Sequence, residues 1–76
     1  MQSFVRICEI IRELTGIPVE SIKKESTARE LSMDSLDMTE VILAVEEEFD
    51  VLVDDANIVE SIGHIASIVD LQTQAA

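Results

Sequence analysis

Cysteine occurs once among the 76 residues, as Cys8, which excludes an internal disulfide and a zinc site built on thiolates. Glycine occurs twice, at Gly16 and Gly63, too far apart to form a phosphate-cradling loop. A single histidine beside a single cysteine leaves a transition metal without a ligand set. The acid-rich stretch from Asp50 to Glu60 lacks the alternating oxygen ligands and the sixth-position glycine of an EF-hand loop, so loose divalent binding is expected there but no built metal site. No apolar run approaches the roughly 18 residues of a membrane span. No basic-then-apolar leader opens the chain, and a soluble cytoplasmic protein without membrane insertion is expected. Lysine and arginine are missing from residues 34–76 altogether, where eleven acids stand, ten of them between Asp34 and Glu60. Residues 1–33 balance five basic residues with five acids. The resulting net charge of −11 argues against nucleic acid and anionic membrane and favours a protein partner with a basic surface.

What is present is helical periodicity. Phe4, Ile7, Cys8, Ile11 and Leu14 recur at helical spacing with Ile10 on the flank, Ser3 is placed to cap, and Gly16 followed by Pro18 ends the segment. Cys8 on this stripe reads as a core thiol. Residues 17–34 carry no sustained period. Ile17, Val19 and Ile22 are expected to pin a long loop, and Thr27 with Glu30 has capping-box spacing for a single turn ending near Leu31. From a cap at Asp34 or Ser35 the clearest helix runs to about Phe49, with Met38, Val41, Ile42, Val45 and Phe49 on one stripe. Leu36 and Leu43 fall off that stripe, near Glu40 and Glu47. With Met33 they either pack under the loop or form an apolar track for a partner. A short helix is expected from about Asp55 to Glu60. A last helix is expected over 64–72, carrying Ile65, Ile68, Val69 and Leu71 and capped by Gly63 or Ser61. Val51–Val53 is a β-branched run without a pairing mate. The expected architecture is all-α: one domain over 1–76, a four-helix bundle of three longer helices and one short third helix, with a long loop between the first two.

One constellation stands out. Asp34-Ser35-Leu36-Asp37 lies where the long loop meets the strongest helix. Capping alone would explain Asp and Ser there. A hydroxyl at a helix N-terminus is also exposed, and the free N–H groups and positive dipole end favour a phosphate attached to it. A hydrolase using Ser35 and His64 has its ingredients, but no Gly-x-Ser-x-Gly elbow and no readable parallel sheet.

The segment Leu31-Ser32-Met33-Asp34-Ser35-Leu36-Asp37, followed by Glu40-Val41 and by Glu46-Glu47-Glu48-Phe49-Asp50, resembles the attachment region of acyl carrier proteins, especially the bacterial fatty-acid type. Leu14 with Gly16 and the run from Glu60-Ser61-Ile62 to Asp70 are similar too, so the resemblance spans essentially the whole chain. It implies a carrier that catalyses nothing. A transferase would esterify Ser35 with phosphopantetheine from coenzyme A, and the arm would carry an acyl chain as a thioester. The resemblance makes Asp34, Asp37, Glu40, Glu46 and Glu47 docking acids for basic patches on acyl-processing enzymes. Leu36 and Leu43 become apolar docking contacts, and Val45, Ile62 and Ile65 candidates for an acyl cavity. A monomer is expected. The family usually has glycine just ahead of the variable residue and the Asp-Ser pair, where this chain has Ser32. If that position needs positive φ, a serine strains it, which points to a specialised paralogue. The alternative, from another class, is an unmodified acidic helical module that binds partners through the Leu36/Leu43 strip alone.

Overall fold

The computed structural model describes residues 2–53 and 61–73. Three α-helices form: α1 (Gln2–Thr15), α2 (Ser35–Phe49) and α3 (Ile62–Thr73), with a 3₁₀ turn at Val19–Ser21. The described residues contain helices and no strands. The expected short helix at Asp55–Glu60 lies outside them.

Helix α1 packs against both α2 and α3. The periodic residues explain why. Ile7 and Ile11 of α1, Val41 and Val45 of α2, and Ile62, Ile65 and Val69 of α3 have their side chains wholly or almost wholly removed from water. At about 25 cal/mol per Å² of apolar surface, this burial is the main force closing the helices on one another. Ile10 is also buried, rather than flanking the core. Leu14 is exposed although it continues the stripe of α1, in whose last turn it sits, and Leu71 is exposed because it lies about 200° around α3 from buried Val69, on the face away from the core. Ser3 does not cap α1. It lies within the helix, buried, and its hydroxyl donates to Asp70 Oδ1 at 2.6 Å, tying α1 to α3. Gly16 adopts φ 82° and its N–H donates to Arg12 O at 2.8 Å, closing α1 in the left-handed geometry that glycine takes at low cost.

The loop between α1 and α2 is ordered by specific contacts. Ile22 is buried, and Ile17 and Val19 pack against the core. Thr27 and Glu30 form the reciprocal capping box: Thr27 N–H donates to Glu30 Oε1 at 3.0 Å and Glu30 N–H to Thr27 Oγ1 at 3.1 Å. The turn they start ends in a paired closure, Met33 N–H to Ala28 O at 2.8 Å and Ser32 N–H to Arg29 O at 3.1 Å. That is the Schellman pattern, and its left-handed residue is Ser32, at φ 60°. The same loop reaches across to α3. Ile62 N–H donates to Ser26 O at 2.9 Å and Gly63 N–H to Lys24 O at 2.8 Å, so loop carbonyls satisfy two of the first-turn donors of α3. Ser61, not Gly63, caps the helix, its Oγ accepting from His64 N–H at 3.2 Å. Gly63 stands inside the first turn because a Cβ there would lie 2.8 Å from Lys24 O.

Candidate functional site

Asp34 caps α2. Its carboxylate accepts the Asp37 N–H at 2.8 Å, while the Asp34 N–H donates back to Asp37 Oδ2 at 3.4 Å. This reciprocal box fixes where the helix begins and makes Ser35 its first residue. Ser35 is exposed. Its carbonyl accepts from Thr39 Oγ1 at 2.8 Å. Its hydroxyl makes no hydrogen bond among the described residues, to His64 or to any other group. The oxygen therefore stands free at the positive end of the α2 dipole, where a phosphodiester is electrostatically favoured.

Leu36 and Leu43 are 65% and 56% exposed. They do not pack under the loop, which leaves the outward apolar track. Met33 does not join that track, because it is buried. The acids divide into two groups. Asp34 and Asp37 are engaged in the capping box. Glu46 is half-buried, and its Oε2 accepts the Val53 N–H at 2.8 Å. Glu40 and Glu47 are exposed, and no ion pair among the described residues involves them. Val45, Ile62 and Ile65 are fully buried in the core.

Several features were not anticipated from the sequence. Arg6 of α1 pairs with Glu48 of α2 at 3.1 Å and also reaches Glu9 and Glu13. The hydrogen bond that Arg6 donates to the Glu48 carboxylate raises its pKa further, so it is charged at any working pH. Leu52 is 67% exposed between buried Val51 and Val53. Its backbone is held on both sides by one side chain: Leu52 N–H donates to Gln72 Oε1 at 3.0 Å, and Gln72 Nε2 donates to Leu52 O at 2.5 Å. The alternation buried–exposed–buried is the period of an extended segment, and three consecutive apolar residues give no sign of it in the sequence.

Among the described residues the fold is all-helical and presents a free serine hydroxyl at a helix start, beside exposed leucines and acids, an arrangement suited to a carrier-type scaffold. Comparison with known proteins agrees. The family model described as a phosphopantetheine attachment site matches residues 5–71. The acyl carrier protein of Streptococcus thermophilus is 35% identical over 74 residues, covering 97% of this chain and 100% of that protein. That of Clostridium acetobutylicum is 38% identical over 74 residues, 93% of this chain and 96% of its own length. That of Saccharopolyspora erythraea is 38% identical over 68 residues, 86% and 72% respectively. The chain belongs to the acyl carrier protein family, whose members bear a covalently attached phosphopantetheine.

Proposed function

We propose that this chain carries acyl groups as thioesters on a phosphopantetheine arm esterified to Ser35, and delivers them to enzymes of fatty acid or related biosynthesis. A phosphopantetheinyl transferase loads the arm from coenzyme A, the serine oxygen forming the new phosphodiester as the nucleotide portion departs. The observation that supports Ser35 most directly is its unbonded, exposed hydroxyl at the first residue of α2, inside the segment matched by the attachment-site family. The chain itself catalyses nothing and holds no metal. In the full architecture a short third helix over 55–60 completes a four-helix bundle, forming one domain over 1–76 that works as a monomer in the cytoplasm. Partner enzymes meet α2 through Leu36 and Leu43, with Asp34, Asp37, Glu40, Glu46 and Glu47 supplying the negative field that steers basic patches toward the arm. A modest, wet interface of this kind favours fast exchange between successive enzymes.

Intact mass spectrometry tests the reading. Incubation with coenzyme A and a transferase adds the mass of phosphopantetheine to the wild type and nothing to Ser35→Ala. A wild type that stays unmodified with several transferases refutes it, and the alternative of an unmodified interaction module then stands.

A further inference from the structure

A phosphodiester on Ser35 enters an unfavourable neighbourhood. Asp34 precedes the serine and Asp37 follows it, and the capping box holds both carboxylates at the helix start. A further anion beside them is repelled by two like charges. The dipole and the free N–H groups of the first turn offset part of that repulsion. The box reduces this share. It occupies the Asp37 N–H, and the Met38 N–H is bonded to Asp34 O at 3.0 Å. Among the described residues, only the N–H groups of Ser35 and Leu36 remain unbonded in that turn. A side-chain donor therefore counts for much here, and one stands in reach. Within a turn of Ser35 along α2 the side chains are Leu36, Asp37, Met38 and Thr39, and only Thr39 carries a donor. Met38 packs against the core, whereas Thr39 is exposed like Ser35. Residues four apart share a helix face and side chains lean toward the N-terminus, so Thr39 covers the turn that Ser35 opens. Its hydroxyl already reaches that turn, donating to Ser35 O at 2.8 Å. The bond is redundant, because an α-helical carbonyl is also served by the N–H four residues on, here that of Thr39 itself. The hydroxyl can turn away without orphaning the carbonyl.

We propose that Thr39 anchors the arm: once Ser35 is loaded, the Thr39 hydroxyl turns from Ser35 O to a phosphate oxygen and holds the root of the arm against α2. The inference rests on the carrier reading and deepens it, since it names the residue that fixes the direction in which the arm leaves the helix. Asp34 and Asp37 accept hydrogen bonds and donate none from their side chains, so neither can take this part.

The test is phosphorus NMR on the whole chain after incubation with coenzyme A and a transferase, with intact mass recording the loading. The arm carries one phosphorus atom, so its resonance reports the root directly. Folded wild type is expected to show a resonance displaced from its position in the urea-unfolded loaded chain, with phosphorus relaxation that follows the tumbling of the whole protein. Thr39→Val keeps the branched shape and removes the donor. It shifts the resonance toward the unfolded position and gives the phosphate faster local motion. Thr39→Ser, which returns a hydroxyl, returns both readouts to the wild-type values. Ser32→Ala removes the next hydroxyl back along the chain and leaves both unchanged. All three variants alter exposed side chains, and circular dichroism is expected to match the wild type. A loaded Thr39→Val whose resonance and relaxation equal those of the wild type overturns the proposal. So does a Thr39→Ser that behaves as Thr39→Val, because the readouts then do not follow the hydroxyl. A wild type that gains no mass overturns the Ser35 reading and this inference with it, whereas full loading with phosphorus spectra indifferent to residue 39 overturns the inference alone.

Discussion

Replacing Ser32 with glycine is expected to stabilise the protein, although it removes atoms and adds no contact. Ser32 sits at φ 60°, as the left-handed residue that closes the turn starting at Thr27. In that region the Cβ of an L-residue crowds the following carbonyl at about 1–2 kcal/mol, a penalty glycine escapes. Glycine in turn makes the unfolded chain more flexible, which returns about 0.5–1 kcal/mol. The difference favours the variant by about 0.5–1 kcal/mol. For a domain this small that corresponds to a rise in Tm of roughly 2–8 °C. Ser32 is exposed and its side chain makes no hydrogen bond among the described residues, so nothing else should be lost. The assay is urea and thermal unfolding of the wild type, Ser32→Gly and Ser32→Ala. Alanine keeps the Cβ and should stay within a few tenths of a kcal/mol of the wild type. If alanine and glycine shift stability equally, or glycine lowers it, the strain argument is wrong and the loop does not hold residue 32 in the left-handed region.

Gly63→Ala places a Cβ 2.8 Å from Lys24 O, so the loop must withdraw from the start of α3. A loss of about 1–3 kcal/mol is expected in chemical denaturation, together with faster hydrogen exchange at Ile62 and Gly63, whose N–H groups the loop carbonyls accept. Burial pushes the Cys8 thiol up, with nearby Glu9 adding to the shift. The unfolded thiol releases its proton near pH 8.5 while the folded one retains it, so stability is full below that pH and declines as pH rises above it. Cys8→Ala should flatten this alkaline limb in Tm measured against pH. Glu46→Ala removes the acceptor of the Val53 N–H and should cost about 1–2 kcal/mol, whereas Glu47→Ala should leave Tm unchanged and slow association with the transferase in low salt, as stopped-flow fluorescence would show.

The helices were legible where apolar residues repeat over several turns, and the exposed serine at the start of α2 was legible because a helix start announces itself by its cap. Gly16, the Thr27–Glu30 box and Ser61 belong to the same local grammar. What escaped is what joins distant parts of the chain. Ser3 has the composition of a cap, and only the approach of α3 shows that it bonds Asp70. The docking of the loop onto α3 runs through the carbonyls of Lys24 and Ser26, which every residue type possesses, so its one trace in the sequence is the small residue at 63. Leu14 continues the stripe of α1 without a break, and periodicity does not say at which turn the packing ends. Leu52 was hidden for the opposite reason. A three-residue run is too short to declare a period, and the side chain that braces it is Gln72, far along the chain.

The acids show why composition alone does not locate a recognition surface. Counting carboxylates along α2 suggests a uniform negative strip, yet their duties differ. Asp34 and Asp37 spend their oxygens on each other's backbone, Glu46 on Val53, and Glu48 on Arg6. A partner's lysine must compete with those bonds or share them. Glu40, Glu47 and Asp50 carry no such commitment, and a cation reaching them displaces only water and screening ions. The free charge of the helix is therefore concentrated toward its middle and C-terminal end, beside Leu43 and Leu52 rather than beside Ser35. On the proposed carrier reading, the charge that draws a partner in stands farther along the rod than the serine that bears the arm.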